Sequence, residues 1–191
     1  MPVLTDQEII AGCKAQDRKV QAGLYRQYYS DFLKICMRYA VSQQDAEQWM
    51  NDGFYKIFTR IEQYRGDGSF EGWMKRILVH TCLDNVKSVM RKQGDRYMEI
   101  DDVKAQQVMA AHSDNAIQQI GFKELVHTIQ ALPAMHKTVF NLFVFDGYSH
   151  KEIAQLLNIK EGTSYWYVNQ ARELLKQRLS ANASKTARYD Q

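Results

Sequence analysis

The chain has 191 residues, 25 Lys and Arg against 22 Asp and Glu for a net charge of +3, and an apolar fraction of 45%. That length holds one or two small domains, and no apolar run approaches the roughly 20 residues of a membrane-spanning helix. The start, MPVLTDQEIIAG, lacks the basic, apolar and small-residue order of a secretory signal, so the expected location is the cytoplasm.

Cys13, Cys36 and Cys82 are far apart and form no C-x-x-C, so neither a disulfide framework nor a zinc site is expected and core thiols are the simpler account. The net charge is too mild to announce nucleic acid by itself; any electrostatic footprint has to be local.

Helical periodicity dominates and strand-like alternation is scarce, which predicts an all-α protein. Thr5 and Glu8 form a capping box ahead of Ile9 and Ile10, opening a short helix that Gly12 is expected to end. Leu24, Tyr28, Phe32, Ile35 and Tyr39 mark an amphipathic helix over 19–39, and a second begins at Asp45 with Trp49, Phe54, Ile57, Phe58 and Ile61. YRGDGS, residues 64–69, has the composition of a tight loop, and a long helix follows over 70–91. The polar stretch 93–116, with Glu99, Asp101 and Asp102, is the expected inter-domain linker. It separates a first domain, 1–92, from a second over 117–180, whose helices resume near Ile117 and pause at Leu132-Pro133. The last 11 residues, 181–191, are expected to be a disordered tail.

On a wheel of about 100° per residue, the long helix puts Met74, Ile77, Leu78, Cys82, Val86 and Val89 on one side. Arg76, His80, Lys87 and Arg91 fall on the other, joined by Trp73. A solvated charged face explains that stripe. So does single-stranded DNA binding, with cations for phosphates and an aromatic for an unpaired base; the wheel alone leaves both open. Near the C-terminus, Ser149 and Glu152 form a second capping box, Asn158 suits a turn needing positive φ, and Thr163 is placed to cap the following helix. Two short helices joined this way form a helix-turn-helix, whose second helix normally enters the major groove.

Taken together, IAGCKAQDRKVQAGLYRQYY, DAEQWMNDGFYKIF, YRGDGSFEGWMKRILVHTCLD and LPAMHKTVFNLFVFDGYSHKEIAQLLNIKEGTS resemble the extracytoplasmic-function sigma factors of bacterial RNA polymerase, most of all the Bacteroidetes variety. The resemblance covers residues 10–179 and implies two helical domains, sigma regions 2 and 4. It implies binding of the clamp helices of the largest polymerase subunit by Asp45, Glu47, Trp49, Asn51, Asp52 and Phe54, with Asn51-Asp52 where the family often has Gln-Glu. An acidic helix start favoured by the macrodipole is the plainer account of the same acids. It further implies capture of flipped minus-ten bases by Tyr64, Arg65, Ser69, Phe70, Trp73, Lys75, Arg76, His80, Lys87 and Arg91, with His80 where asparagine is usual. A flipped base needs a pocket that a duplex groove does not offer. Region 4 would meet the flap of the second-largest subunit and the minus-35 element, through Ser149, Lys151, Thr163, Tyr165, Trp166, Asn169, Gln170, Arg172 and Lys176. The linker would thread toward the RNA exit path. Anti-sigma factors are common partners in the family, and this sequence carries no mark of one.

Where the family continues after E-G-T-S with a pattern close to K-S-Q-L-S-R-A-R, this chain has Tyr165-Trp166-Tyr167-Val168-Asn169-Gln170-Ala171-Arg172, with two of three expected basic residues gone. The wheel turns Ser164, Val168, Ala171, Leu175 and Leu179 to the core and Trp166 away from it, with Tyr165 and Tyr167 at the borders. Asn169 and Gln170 retain the chemistry to pair with adenine, and Arg172 and Lys176 suit phosphates. Two functions follow as expectations. One is a sigma factor with weakened minus-35 readout. The other is an adaptor that couples polymerase to another DNA-targeting protein, with Trp166 as the anchor. No nucleotide-cradling glycine loop, metal-ligand spacing or nucleophile-base pair is visible, so neither enzymatic activity nor a cofactor is expected.

Overall fold

The computed structural model describes the backbone of residues 5–92 and 127–189, with side chains over 5–91 and 127–180. All regular structure among the described residues is helical, and the chain divides into two compact units at Val89–Met90. The linker expected at 93–116 and the helical restart near Ile117 lie outside the described residues.

The N-terminal unit holds α1 (Asp6–Lys14), α2 (Arg18–Tyr39), α3 (Gln43–Thr59), a 3-10 turn (Ile61–Gln63) and α4 (Phe70–Lys92). The Thr5–Glu8 capping box opens α1 as expected, both of its arms formed. Gly12 does not end that helix, which runs on to Lys14. Gly12 instead marks the crossing with α2: a Cβ there would stand 2.6–2.8 Å from three side-chain atoms of Val20. Asp17 caps α2, its carboxylate accepting from Lys19 N at 2.7 Å. Helix α3 starts earlier than Asp45, at Gln43, because Ser42 is its N-cap. The core gathers Phe32, Phe54, Met74, Leu78 and Cys82, all at most 2% exposed. Phe54 lies between Tyr25 and Phe32, ring centroids 4.7 and 5.2 Å away.

The C-terminal unit holds α5 (Ala134–Val144), α6 (His150–Leu157) and α7 (Glu161–Tyr189), preceded by helical residues 127–130. Pro133 stands at the start of α5, where its missing N–H costs nothing. Ile129, Leu132, Phe140, Ala171 and Leu175 form the core. The Ser149–Glu152 capping box is complete, and Asn158 ends α6 in the left-handed region at φ 54°, ψ 51°.

Two expectations about α7 are corrected. Thr163 is not its cap: the helix starts at Glu161, and the N–H groups of Thr163 and Ser164 already donate to Lys160 O at 3.1 and 3.2 Å. Nor does the helix stop near Leu179 before a disordered tail, since it continues to Tyr189. The stretch ANASKTARY contains no Gly or Pro and three alanines, so nothing in it breaks a helix once started.

Candidate nucleic-acid and polymerase interfaces

In the N-terminal unit, the loop before α4 is built around three rings. Gly66 and Gly68 take φ of 86° and 94°, conformations that side-chain-bearing residues rarely adopt, and the turn they make lets Tyr64 OH donate to Gly68 O at 2.8 Å. Ser69 then starts α4, its Oγ accepting from Gly72 N at 3.0 Å. Phe70 is the floor of the ring cluster: it is 1% exposed, with Trp73 stacked on it at 5.8 Å and 16° and Tyr64 edge-on at 5.2 Å. Tyr64 and Trp73, 5.5 Å apart and each half-buried, are the rings that solvent reaches. Phe70 is therefore a support and not a contact surface, a correction to its assignment.

Arg76, His80 and Arg91 are exposed along α4 and Lys87 is half-exposed, as the wheel predicts. The electrostatics agree: partial desolvation lowers the proton affinity of His80, and Arg76, Lys87 and Lys56 lower it further, opposed by Asp84 alone. Asp84 is itself paired with Lys56 at 3.2 Å. Lys75 is bound to Glu71 within the helix. This end of the unit therefore combines accessible rings with a cationic stripe, the two ingredients of single-strand binding.

Helix α3 sorts its six assigned residues. Trp49 and Phe54 are 5% and 2% exposed, so they belong to the core and cannot meet a partner; this corrects both. Asp45 bonds back to its own cap, 2.6 Å from Ser42 Oγ, and Glu47 accepts from Gln43 at 2.9 Å. Asn51 Oδ1 accepts from Tyr25 OH at 3.0 Å. Asp52 is exposed, and three residues on stands Tyr55, 70% exposed, which sequence reasoning passed over. Its signal was there: positions 48, 52, 55 and 59 follow the i, i+3/i+4 rule of one helical face.

In the C-terminal unit, Ser149 is spent on the capping box, with Lys151 exposed beside it. The aromatic start of α7 is arranged differently from the wheel. Trp166 does not point freely into solvent; it is half-buried, 5.4 Å from His136 of α5, and Tyr167 is fully buried edge-on to the same imidazole at 4.9 Å. The exposed ring is Tyr165, at 47%. It lies flat on His150 at 3.7 Å and 27°, and His150 lies on Phe143 at 4.2 Å and 22°. The His150 Nδ1 is 2.9 Å from Ser164 Oγ, and burial lowers its proton affinity, as does Arg172, against the opposing pull of Glu161. Asn169 and Gln170 are half-buried; Arg172 and Lys176 are exposed, Lys176 paired to Glu173 at 3.1 Å. Among the described residues no group of His, Cys, Asp or Glu could hold a metal, and no helix is long and apolar enough to cross a membrane.

A loop with accessible rings opening a basic helix in one unit and a helix-turn-helix in the other suit nucleic-acid binding, and comparison with known proteins decides their kind. Residues 24–102 match the family model for sigma-70 region 2, and residues 122–175 match that for sigma-70 region 4. The chain belongs to the extracytoplasmic-function RNA polymerase sigma factors. It is similar to the RNA polymerase sigma-H factor of Pseudomonas aeruginosa, 26% identical over 185 residues that span 91% of this chain and 93% of that one. It is equally similar to the extracytoplasmic-function sigma-E factor of Haemophilus influenzae, 26% identical over 182 residues, 92% and 96% of the two chains. Among solved structures it shares its fold with the sigma factor RpoE in complex with the anti-sigma factor NepR from Bartonella quintana, TM-score 0.53 at 16% identity, covering 82% of this chain and 94% of that one. Sigma factors are not enzymes; they bind core RNA polymerase and promoter DNA and direct promoter-specific initiation.

Proposed function

We propose that this sigma factor, of the Bacteroidetes-like type, acts in the cytoplasm and draws most of its promoter affinity from region 2, with weakened minus-35 readout. Tyr64 and Trp73 stack the flipped minus-ten bases, and Arg65, Arg76, His80, Lys87 and Arg91 follow the strand's phosphates. Asp52 and Tyr55, with Asn51 beside them, meet the clamp helices, and region 4 meets the flap. Lys151, Tyr165, Asn169, Gln170 and Arg172 form the minus-35 surface. The observation that carries the weakening is Tyr165: the exposed ring of the first turns of α7, 47% exposed, is uncharged, and the exposed charge beside it, Glu161, is an acid. A cation missing from a phosphate forfeits the counterion release that its pairing would have driven. The adaptor reading has less support, because the Trp166 ring it needs is half-buried and leans on His136. A recruiting protein or an anti-sigma factor would have to bind another surface.

Holoenzyme reconstituted with purified core polymerase tests this on promoters it selects from a randomised library. Scrambling the minus-ten element should abolish run-off transcription, whereas scrambling the minus-35 element should cost less than about tenfold, below the about 1 to 3 kcal/mol per bidentate base contact summed over a full element. The opposite ranking would overturn the proposal. Asp52→Lys together with Tyr55→Ala should release the protein from core polymerase on gel filtration.

A further inference from the structure

We infer that Tyr165 reads a thymine methyl group in the major groove, and that His150 is the positioning residue that holds its ring in place. This rests on the assignment of region 4 to the minus-35 duplex.

Tyr165 is the fifth residue of α7, within the first turns that a helix-turn-helix presents to base edges. An unsupported tyrosine there would be mobile and a poor discriminator. Here the ring is one end of a three-ring stack, Tyr165 on His150 on Phe143, at 3.7 and 4.2 Å. His150 is 7% exposed and bonded through Nδ1 to Ser164, the residue next to Tyr165, which is fully buried. The first residue of α6 is thereby fixed to the first turn of α7, and Tyr165 keeps one face on the imidazole while 47% of the residue stays exposed.

The chemistry of that exposed ring narrows what it recognises. Bidentate reading of guanine needs Arg or Lys, and of adenine Asn or Gln, whereas an apolar contact distinguishes only the thymine C5 methyl. A phenol ring offers apolar area and a single hydroxyl. An uncharged ring gives up attraction for phosphate or guanine and leaves a preference for thymine.

Deoxyuridine differs from thymidine only by the missing methyl. A promoter selected by the holoenzyme is footprinted to establish minus-35 protection, then resynthesised with uracil replacing each upstream thymine in turn, and holoenzyme binding is measured by competition. At one position the wild-type protein should bind the uracil duplex about fourfold more weakly, the worth of one buried methyl. Tyr165→Ala, an exposed truncation that leaves the core intact, should bind thymine and uracil duplexes alike. His150→Ala should shrink the difference, and His150→Phe, which keeps a flat ring between Phe143 and Tyr165, should restore it. A fold effect alone would not be rescued in this base-specific way. Equal binding of thymine and uracil at every position of a protected element, or a difference that survives in Tyr165→Ala, overturns the inference alone. Failure of His150→Phe to restore the difference overturns the positioning role. No minus-35 protection at all overturns the assignment on which it rests.

Discussion

Replacing Trp73 by alanine should separate stacking from charge in strand capture. The indole stacks on Phe70 at 5.8 Å, 16° from parallel, and meets Tyr64 at 5.5 Å. Its removal opens Phe70, now 1% exposed, to water on one side. Full truncation of a buried aromatic costs about 3–5 kcal/mol, and a half-buried one about half of that, so the domain should soften but remain folded. Stacking of one base is worth about 1–3 kcal/mol, which is about five- to 150-fold in affinity. The assay is fluorescence anisotropy of holoenzyme with a labelled single-stranded minus-ten oligonucleotide, alongside a thermal melt of the free protein. Trp73→Ala should fall in that range, and Trp73→Phe, which still covers Phe70, should lose clearly less. If Trp73→Ala binds within twofold of wild type while Arg76→Ala does not, charge alone holds the strand and the stacking argument is refuted.

Gly12→Ala would raise stability by up to about 1 kcal/mol in an open helix. Here the new methyl meets Val20 at 2.6–2.8 Å, and a β-branched residue cannot swing clear, so a net loss of about 1–2 kcal/mol is expected. A lower melting temperature that Gly12→Ala with Val20→Ala recovers would establish the clash; a gain in the single variant would refute it. Asn158→Ala, at φ 54°, should cost about 1 kcal/mol in urea titration, and Asn158→Gly close to none. Cys13, Cys36 and Cys82 are all buried, the Cys13 thiol pushed up to about 11 by burial and then by Asp17. A thiol reagent at neutral pH should therefore label none of them quickly until denaturant is added, and one fast thiol in the native protein would contradict this packing.

Much of the local chemistry is legible in the sequence, with Thr163 and the Ser42 cap of α3 as exceptions. Both capping boxes, the loop at 64–69 and the left-handed Asn158 follow from hydrogen-bonding groups a few residues apart. Most of what escapes depends on neighbours distant in sequence. Gly12 reads as a terminator until Val20 of the next helix is seen against it. Trp49, Phe54 and Phe70 read as interface residues because they sit in the family's motifs, yet these apolar members pack in the core while Asp52 and Tyr55 are exposed. The wheel misjudged Trp166 for a related reason. It gives the direction of Cβ, but a long side chain in a helix leans back over the preceding turn, and a large indole can thereby reach His136. Tyr165, placed at the border, is the ring that is exposed.

The two interfaces differ in ionic character, and this explains why a net charge of +3 said so little. Along α4 the cations reinforce each other: besides burial, Arg76 and Lys87, with Lys56 of α3, disfavour the proton on His80, and the opposing acid, Asp84, is engaged by Lys56. On α7 the acids Glu161 and Glu173 interleave with Arg172 and Lys176, and Lys176 is tied to Glu173. Counterion release scales with the cations that reach phosphates, so a salt-sensitive grip belongs to the N-terminal unit. On the proposed function, the C-terminal helix relies on fixed aromatic surface, which would add little affinity and could still choose between bases. Opening a promoter needs a strong hold on the strand that has been freed, and it needs only modest discrimination upstream to decide where that hold is tried.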